Sequence, residues 1–307
     1  MRQYTNEAPP DQLGTCILFY KDTGSGKTRS GGTCPGPIYL VNNEEKDPRN
    51  VLVGCPKPIF YFEFDSIDEE FDQVNLWVEA AKRDFAASIK EGIPVKREFP
   101  AHTVFNDGLT FSQIKIKQAL EDDRYLVRVS EHEARGMVDR ARLERPDWGV
   151  SNSLVIRLMG LYNRLSKLGV YVLFTAKEDL FEGVISPAIQ GKEVPNSIHG
   201  YFDFIGWINR PFHYDGKGNP VYPMITFAPG HHPGGVDWKY VCRTSSDKLM
   251  KVGPVPLHWG DIFQLIKEEQ RELWEAKMKV VRPVITTGAK PSGEFIANPP
   301  FQKMDDF

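Results

Sequence analysis

Five consecutive residues near the start of the chain, Gly24-Ser25-Gly26-Lys27-Thr28, have the types and the spacing that phosphate binding requires. The two glycines let backbone N–H groups turn toward an anion, because no Cβ stands in the way. Lys27 would reach the β- and γ-phosphates of a nucleotide, and the Thr28 hydroxyl would ligate Mg²⁺. The sequence therefore predicts a site for ATP and Mg²⁺, whose nucleotide-binding residues are Asp22, Thr23, Gly24, Ser25, Gly26, Lys27 and Thr28.

The surroundings of this segment are those that a phosphate-binding loop needs. An apolar run at residues 16–20 predicts a buried strand before the loop, and a helix is expected to begin near Lys27. The unpaired N–H groups and the dipole of such a helix favour an anion. Lys21 stands where the full motif has its first glycine, and it fits there if its φ is negative. The alternative interpretation is a glycine turn that binds nothing.

Carboxylates follow two of the apolar runs further along the chain. Asp107 ends the run at residues 103–106, and Glu44 and Glu45 follow the run at residues 38–41. In open α/β sheets, ligands lie at the carboxyl ends of the strands. We therefore expect Asp107 to hold the water shell of Mg²⁺ beside Thr28. Glu44 is the candidate to activate the attacking water, with Glu45 in reserve, although residues 42–48 also have the composition of an ordinary solvated loop.

Several further polar residues are candidates for contact with the bound nucleotide. Thr175 and Lys177 end another apolar run and are candidate sensors of the γ-phosphate, or else they only cap a strand end. A cation among Arg243, Lys248 and Lys251 could act as an arginine-finger element, in its own subunit or in a neighbouring one. The pair His231-His232 has no carboxylate or cysteine partner at metal-ligand spacing, so we interpret it as part of a loop.

A segment rich in arginine offers a candidate path for single-stranded DNA. Its candidate DNA-binding residues are Arg135, Arg140, Arg142 and Arg145. Interleaved Glu and Asp nearly cancel this charge, which favours the alternative of a solvated helix with internal ion pairs.

The composition is that of an ordinary globular protein. The chain has 307 residues and a formal net charge of −3. This charge argues against a positive electrostatic field over the whole surface, of the kind that coats nucleic acid. The four cysteines form no C-x-x-C pair, as expected for free thiols in a reducing cytosol. The opening residues do not have the pattern of a signal peptide, and no apolar run approaches the ~18 residues of a membrane helix. We therefore expect a cytoplasmic protein with no membrane partner.

The elements that must position these residues alternate between strand and helix from residue 14 to about residue 176. This alternation predicts an α/β fold with a mostly parallel central sheet flanked by helices. A helix is expected from about residue 66 to residue 89; we interpret Asp65 as its cap, and Glu63 and Asp65 as structural rather than catalytic. Residues 146–149 are expected to break the chain before an amphipathic helix at residues 151–168, and late strands are expected to be antiparallel.

These elements predict one main domain with short additions at both ends. We expect a lead-in at residues 1–13, a P-loop domain at residues 14–256, a C-terminal helix at residues 257–280, and a disordered tail at residues 281–307.

The succession of motifs resembles the RecA-like P-loop ATPases of phages and plasmids, often described as phage nucleotide-binding or AAA-domain proteins. The likeness covers about residues 14–255 and rests on the Gly26-Lys27-Thr28 element, the strand that ends in Asp107, and the order of the later elements. It implies a RecA-like P-loop NTPase fold, Mg²⁺-dependent ATP hydrolysis with Glu44 as the water-activating residue, and assembly into a homo-oligomer. For some members it implies a role in DNA recombination or single-strand annealing, in the host cytoplasm if a phage encodes the chain.

Other function classes remain open at this point. The main alternative is a nucleotide-binding assembly protein whose ATP state controls oligomerisation without DNA. A small-molecule kinase is a weaker candidate, because no lid-like arginine cluster or substrate motif is recognisable.

Overall fold

A computed structural model describes residues 14–44, 46–93, 95–132, 145–189, 200–217, 220–221, 223–232 and 238–281. The strands are β1 (Cys16–Tyr20), β2 (Ile38–Asn42), β3 (Ile59–Phe62), β4 (Thr103–Asp107), β5 (Tyr171–Ala176), β6 (Glu178–Phe181), β7 (Val184–Pro187), β8 (Phe204–Arg210), β9 (His213–Tyr214), β10 (Pro220–Val221), β11 (Met224–Thr226), β12 (Gly230–His231), β13 (Lys239–Tyr240) and β14 (Val255–Pro256). The helices are α1 (Lys27–Ser30), α2 (Arg49–Leu52), α3 (Ile67–Glu91), α4 (Leu109–His132), α5 (Arg145–Ser166), α6 (Asp247–Val252) and α7 (Trp259–Val281), and a 3₁₀ turn at Gly31–Thr33 continues α1.

The central sheet has eight strands in the order β14-β11-β8-β1-β5-β4-β2-β3. The six strands from β8 to β3 run parallel, whereas β11 and β14 add to the β8 edge in antiparallel orientation. Strand β5 lies between β1, which leads into the glycine-rich loop, and β4, which ends in Asp107. The predicted α/β fold, with a mostly parallel central sheet, flanking helices and late antiparallel strands, is confirmed. The parallel order brings the carboxyl ends of β1, β5, β4 and β2 to one edge of the sheet.

Strand β1 is buried on both faces, which explains its unbroken apolar run. Leu18 and Tyr20 face a core layer that also contains residues of α3 and α5, whereas Phe19 faces a second layer with residues of α7. The Phe19 and Trp259 rings lie 4.7 Å apart, and the indole N–H of Trp259 donates to Ser30 Oγ at 3.0 Å. Helix α7 therefore holds the short α1 turn that follows the glycine-rich loop.

Helix α3 begins with a capping box. Ser66 is the N-cap, because its Oγ accepts a hydrogen bond from the Glu69 N–H at 3.2 Å, while Glu69 Oε2 accepts from the Asp65 N–H at 3.0 Å. The prediction that Asp65 itself is the cap is therefore wrong. The helix ends two residues later than predicted, at Glu91, and is followed by Gly92 with φ 71°.

One further local prediction differs from the structure, and one hairpin was not predicted. The expected break at residues 146–149 is wrong, because α5 already begins at Arg145 and Pro146 lies in its first turn, where no intrahelical N–H bond is lost. The β6–β7 hairpin, which joins a second sheet of order β12-β13-β7-β6, was not predicted.

Strands β9 and β10 pair with each other in antiparallel orientation, apart from the two larger sheets. The expected C-terminal helix lies at Trp259–Val281. Among the described residues, none of the helices combines the length and the hydropathy that a membrane span requires.

Candidate functional site

The structure joins the glycine-rich loop directly to the carboxylate at the end of β4. The Thr28 hydroxyl donates a hydrogen bond of 2.6 Å to Asp107 Oδ2, and the Thr175 hydroxyl donates one of 2.7 Å to Asp107 Oδ1. Asp107 is only 1% exposed. Burial raises the pKa of its carboxyl group, while the two hydroxyl donors and the positive charge of Lys27 act in the opposite direction. Residues predicted separately as metal ligand, metal holder and sensor therefore form one contact set.

The loop itself has the backbone that its glycines were expected to provide. Gly24 and Gly26 have φ values of 83° and 92°, in the region that side chains disfavour. A Cβ on Gly24 would meet nothing within 4 Å, whereas a Cβ on Gly26 would lie 3.0 Å from the Cβ of Phe212. The hydroxyl of Ser25 is buried and has no hydrogen-bond partner in the described part of the chain. An open concave backbone with an unpaired hydroxyl suits a polar, anionic ligand.

Lys27 lies back against the entrance of this loop. Its ammonium donates to the carbonyl oxygens of Lys21 at 2.7 Å and of Asp22 at 3.0 Å. Burial lowers the pKa of Lys27, and the negative charges of Glu44, Asp107 and Asp22 oppose that shift. The side chain is thus held inside the loop, in an electrostatic environment shared with both candidate carboxylates.

The side chain of Lys21, which replaces the first glycine of the motif, points away from the loop. Its ammonium forms an ion pair with Glu178 at 2.9 Å and lies 4.5 Å from the centre of the Trp207 ring. The indole N–H of Trp207 also donates to Glu178, at 2.9 Å. Lys21 is not one of the described non-glycine residues with a positive φ, so its backbone is in a region that an ordinary side chain tolerates. Lys21 therefore anchors the loop entrance to β6 and β8 instead of interfering with the loop.

Glu44 lies on the same cleft as the glycine-rich loop. Burial and the charge of Asp107 raise the pKa of the Glu44 carboxyl group, whereas Lys27, Lys177 and Lys46 act to lower it. The cleft measures about 260 Å³, and we call it the P-loop cleft. Its lining residues are Thr23, Gly24, Gly26, Lys27, Thr28, Arg29, Glu44, Lys46, Asp47, Pro48, Val51, Asp107 and Phe212.

The other predicted residues have different positions. The charge of Lys177 reaches Glu44, and its ammonium lies 4.4 Å from the centre of the Phe111 ring. Arg243 exchanges two backbone hydrogen bonds with Ile205, and Lys248 pairs with Glu272 on α7 at 2.7 Å; neither lines the P-loop cleft. Any role of these cations as an arginine finger would thus have to be in a neighbouring subunit.

Some predicted residues fall where the structure gives no side-chain description. Glu45, Arg135, Arg140 and Arg142 lie outside the described residues. Arg145 is the first residue of α5, but its side chain is not described.

Sequence reasoning missed two side chains at the cleft. The Phe212 N–H donates to the carbonyl oxygen of Ser25 at 3.2 Å, and the guanidinium of Arg29 lies 4.4 Å from the centre of the Phe212 ring. Phe212 is almost two hundred residues from the loop in the chain, so no local pattern could place it there. Arg29 follows Thr28 directly, and its proximity to the motif was the available signal.

Sequence reasoning also missed the burial of Glu70, an acid in the first turn of α3. The signal was its spacing, because Glu70 lies on the same helical face as Val74 and Trp77.

Similarity to known proteins is found among solved structures. No protein-family model matches the chain, and no curated protein matches it. One solved structure that is similar is a KaiC-like protein from the hyperthermophilic archaeon Pyrococcus horikoshii OT3, with a TM-score of 0.35 and 13% sequence identity, covering 70% of this chain and 78% of that one.

Proposed function

We propose that this protein is an ATPase that binds MgATP in the P-loop cleft and hydrolyses the bond between its β- and γ-phosphates. The observation that carries the proposal is the 2.6 Å hydrogen bond from Thr28 to Asp107, which joins a glycine-rich loop to a carboxylate on a separate strand. A structural turn has no need of a buried carboxylate at this place, whereas a site for a metal-bound triphosphate does.

The loop would bind the phosphates through groups that it already presents. Backbone N–H groups between residues 22 and 28 would donate to phosphate oxygens, since the two positive-φ glycines open the loop toward the cleft. Lys27 uses two ammonium hydrogens on loop carbonyls, which leaves one for a phosphate oxygen. The unpaired Ser25 hydroxyl is a further donor.

The residues present also fit a magnesium ion. Thr28 would ligate the ion and Asp107 would hold its water shell, because hydroxyl and carboxylate oxygens are the donors that Mg²⁺ prefers. Bound there, Mg²⁺ would neutralise charge on the phosphate oxygens. Asp107 keeps the Thr28 hydroxyl oriented toward that place, and Thr175 holds the other carboxylate oxygen.

Glu44 would accept a proton from, or orient, the attacking water. Its raised pKa makes it a stronger base than a solvated glutamate, since burial and the Asp107 charge both disfavour its ionised form. Lys27, Lys177 and Lys46 surround it with positive charge, which keeps the carboxylate available in its ionised form.

The test is phosphate release from ATP by the purified chain and its Glu44→Gln variant. We expect the wild type to release phosphate only when Mg²⁺ is present, and the variant to bind ATP with wild-type affinity while its turnover falls by about 10²–10⁴-fold. Turnover that survives in Glu44→Gln would contradict the role of Glu44 and move it to Glu45 or Asp65. A wild type that neither binds nor hydrolyses ATP would refute the function itself.

The resemblance to phage and plasmid ATPases motivates the finer part of the proposal, a role in DNA recombination or single-strand annealing as a homo-oligomer. Filter binding of single-stranded DNA with and without ATP tests it. Binding that requires ATP and weakens steeply with salt would support a DNA-dependent ATPase. Absence of DNA binding, together with assembly that follows the ATP state, would favour the alternative of a nucleotide-controlled assembly protein.

A further inference from the structure

A buried glutamate on α3 lies directly behind the two strand ends that carry Glu44 and Asp107. Glu70 is 1% exposed, and its Oε1 accepts hydrogen bonds from Asn106 Nδ2 at 3.0 Å and from the Tyr162 hydroxyl at 2.8 Å. Asn106 Oδ1 in turn accepts from Asn43 Nδ2 at 3.4 Å, and Asn43 Oδ1 accepts from Lys115 Nζ at 3.4 Å. These five side chains form one polar network, which we call the Glu70 network.

The Glu70 network contacts the site through residues adjacent to it in sequence. Asn106 directly precedes Asp107 in β4, so its side chain points to the opposite face of the sheet. Asn43 directly precedes Glu44, and its backbone N–H donates to the Asp107 carbonyl oxygen at 3.0 Å. A change in the hydrogen bonds of the Glu70 network would therefore shift the backbone that carries both carboxylates.

A carboxylate at this position has an energetic cost that an apolar side chain would not have. Burial raises the pKa of Glu70, and hydrogen bonds from Tyr162, Asn43 and Asn106, together with the positive charge of Lys115, oppose the shift. The neighbours of Glu70 on the same helical face, Val74 and Trp77, are buried apolar residues. An apolar side chain would thus be enough to fill this position. A buried polar network whose hydrogen bonds are all made favours, in addition, one arrangement of its side chains.

We propose that Glu70 is a positioning residue for Glu44, acting through Asn43 and Asn106 to fix the segment that follows β2. The proposal rests on the proposed function, because it assigns to Glu70 the placement of the water-activating carboxylate. Glu70 does not line the P-loop cleft, so its effect passes through the strand ends and not through contact with ATP.

The experiment compares three full-length variants. Glu70→Gln keeps the shape and removes the charge, and Tyr162→Phe removes a single hydroxyl donor. Asp84→Asn is the matched control, because Asp84 is also a buried carboxylate on α3, but it accepts from the backbone N–H groups of Glu98 and Phe99, outside the Glu70 network. Thermal unfolding confirms that each variant is folded.

Two readouts separate positioning from general support of the fold. The first is hydrogen exchange of the Asn43 amide, which we expect to accelerate about tenfold in Glu70→Gln and Tyr162→Phe, since weakening one hydrogen bond of this kind is worth about a factor of ten. In these two variants, the amides of residues 22–28 are expected to exchange at the wild-type rate. In the Asp84→Asn control, the Asn43 amide is expected to exchange at the wild-type rate. The second is phosphate release, where we expect kcat to fall about tenfold without a change in ATP affinity.

A double variant tests whether Glu70 acts through Glu44. Adding Glu70→Gln to Glu44→Gln is expected to cause no further loss of turnover, because the group being positioned is already absent. A further tenfold loss would overturn the proposal, and so would Asn43 exchange at the wild-type rate in both single variants. If the wild type releases no phosphate, the proposed function fails, and the exchange of the Asn43 amide still decides whether Glu70 orders this segment.

Discussion

Replacing Asp107 with Asn tests the metal side of the site with little change of shape. In the wild type, the two carboxylate oxygens accept hydroxyl hydrogen bonds of 2.6 Å from Thr28 and 2.7 Å from Thr175. In the variant one of these oxygens becomes an NH₂ group, and the hydroxyl that faces it must accept a hydrogen bond instead of donating one. The packing of β4 between β2 and β5 is not altered.

The effect on stability is expected to be small because two contributions oppose each other. A hydrogen bond to an ionised group is worth about 1.5–3 kcal/mol and a neutral one about 0.5–1.5 kcal/mol, so two weakened bonds cost about 2 kcal/mol. Against this, the variant no longer buries an ionised carboxylate, whose pKa burial raises in the wild type. We expect the free energy of unfolding to change by less than about 2 kcal/mol.

The effect on nucleotide binding is expected to be larger and to depend on the metal. Loss of a group that orients the shell around a metal typically lowers metal affinity about 10–100-fold. Isothermal titration calorimetry with ATP, in Mg²⁺ and in a chelator, measures this directly. Asp107→Asn should match the wild type in the chelator and lose about 10–100-fold in Mg²⁺. An unchanged response to Mg²⁺ in Asp107→Asn would refute the assignment, and Asp84→Asn is the control for loss of a buried carboxylate.

Three further predictions follow from the charged groups. As the pH is lowered, the rate of phosphate release should begin to fall with a midpoint above 4.5, the ordinary pKa of Glu. The reason is that the folded protein raises the pKa of Glu44, and only the ionised carboxylate serves as base. A midpoint of this acidic decline at or below pH 4.5 would contradict the prediction. The pKa of Glu70 is also raised in the folded state, so the folded protein holds this proton more tightly than the unfolded chain does. The stability of the wild type relative to Glu70→Gln should therefore be greatest below pH 4.5 and should decline as the pH rises through the folded-state pKa. Urea unfolding from pH 4 to 8 measures this difference in stability, and a difference independent of pH would count against the prediction. Lys21→Met removes the charged partner of the partly buried Glu178, which keeps its hydrogen bond from Trp207. The variant should lower the free energy of unfolding by about 1–3 kcal/mol and weaken ATP binding. An unchanged urea midpoint and ATP affinity would show that Lys21 does not anchor the loop.

The parts of the site that the sequence predicted depend on local residue types. Glycines at positions 24 and 26 and the Lys-Thr pair after them predict the loop, given the apolar run that precedes them. Asp107 and Glu44 were predicted because each follows an apolar run, and the ends of parallel strands converge. The alternation of strands and helices gave the fold class for the same reason, since each element has its own apolar period.

The parts that were missed depend on contacts between distant residues or on a pattern with two meanings. The Lys21–Glu178 pair and the contact of Phe212 with the loop join residues more than 150 positions apart, and neither partner carries a signal of the other. Glu70 has the position of an acid in a first helical turn and also the position of a core residue, and burial decided between them. Pro146 was interpreted as a helix breaker, although the first turn of a helix tolerates proline.

The central claim is that a triphosphate binds in the loop that contains Lys27, and equilibrium dialysis of labelled ATP tests it most directly. The comparison is the wild type, Lys27→Ala, and Lys82→Ala, whose lysine is exposed on α3 and pairs with Glu79. We expect Lys82→Ala to bind MgATP like the wild type and Lys27→Ala to lose at least about 100-fold in affinity, which corresponds to about 2.7 kcal/mol. Lys27→Ala that binds ATP with wild-type affinity would contradict the account.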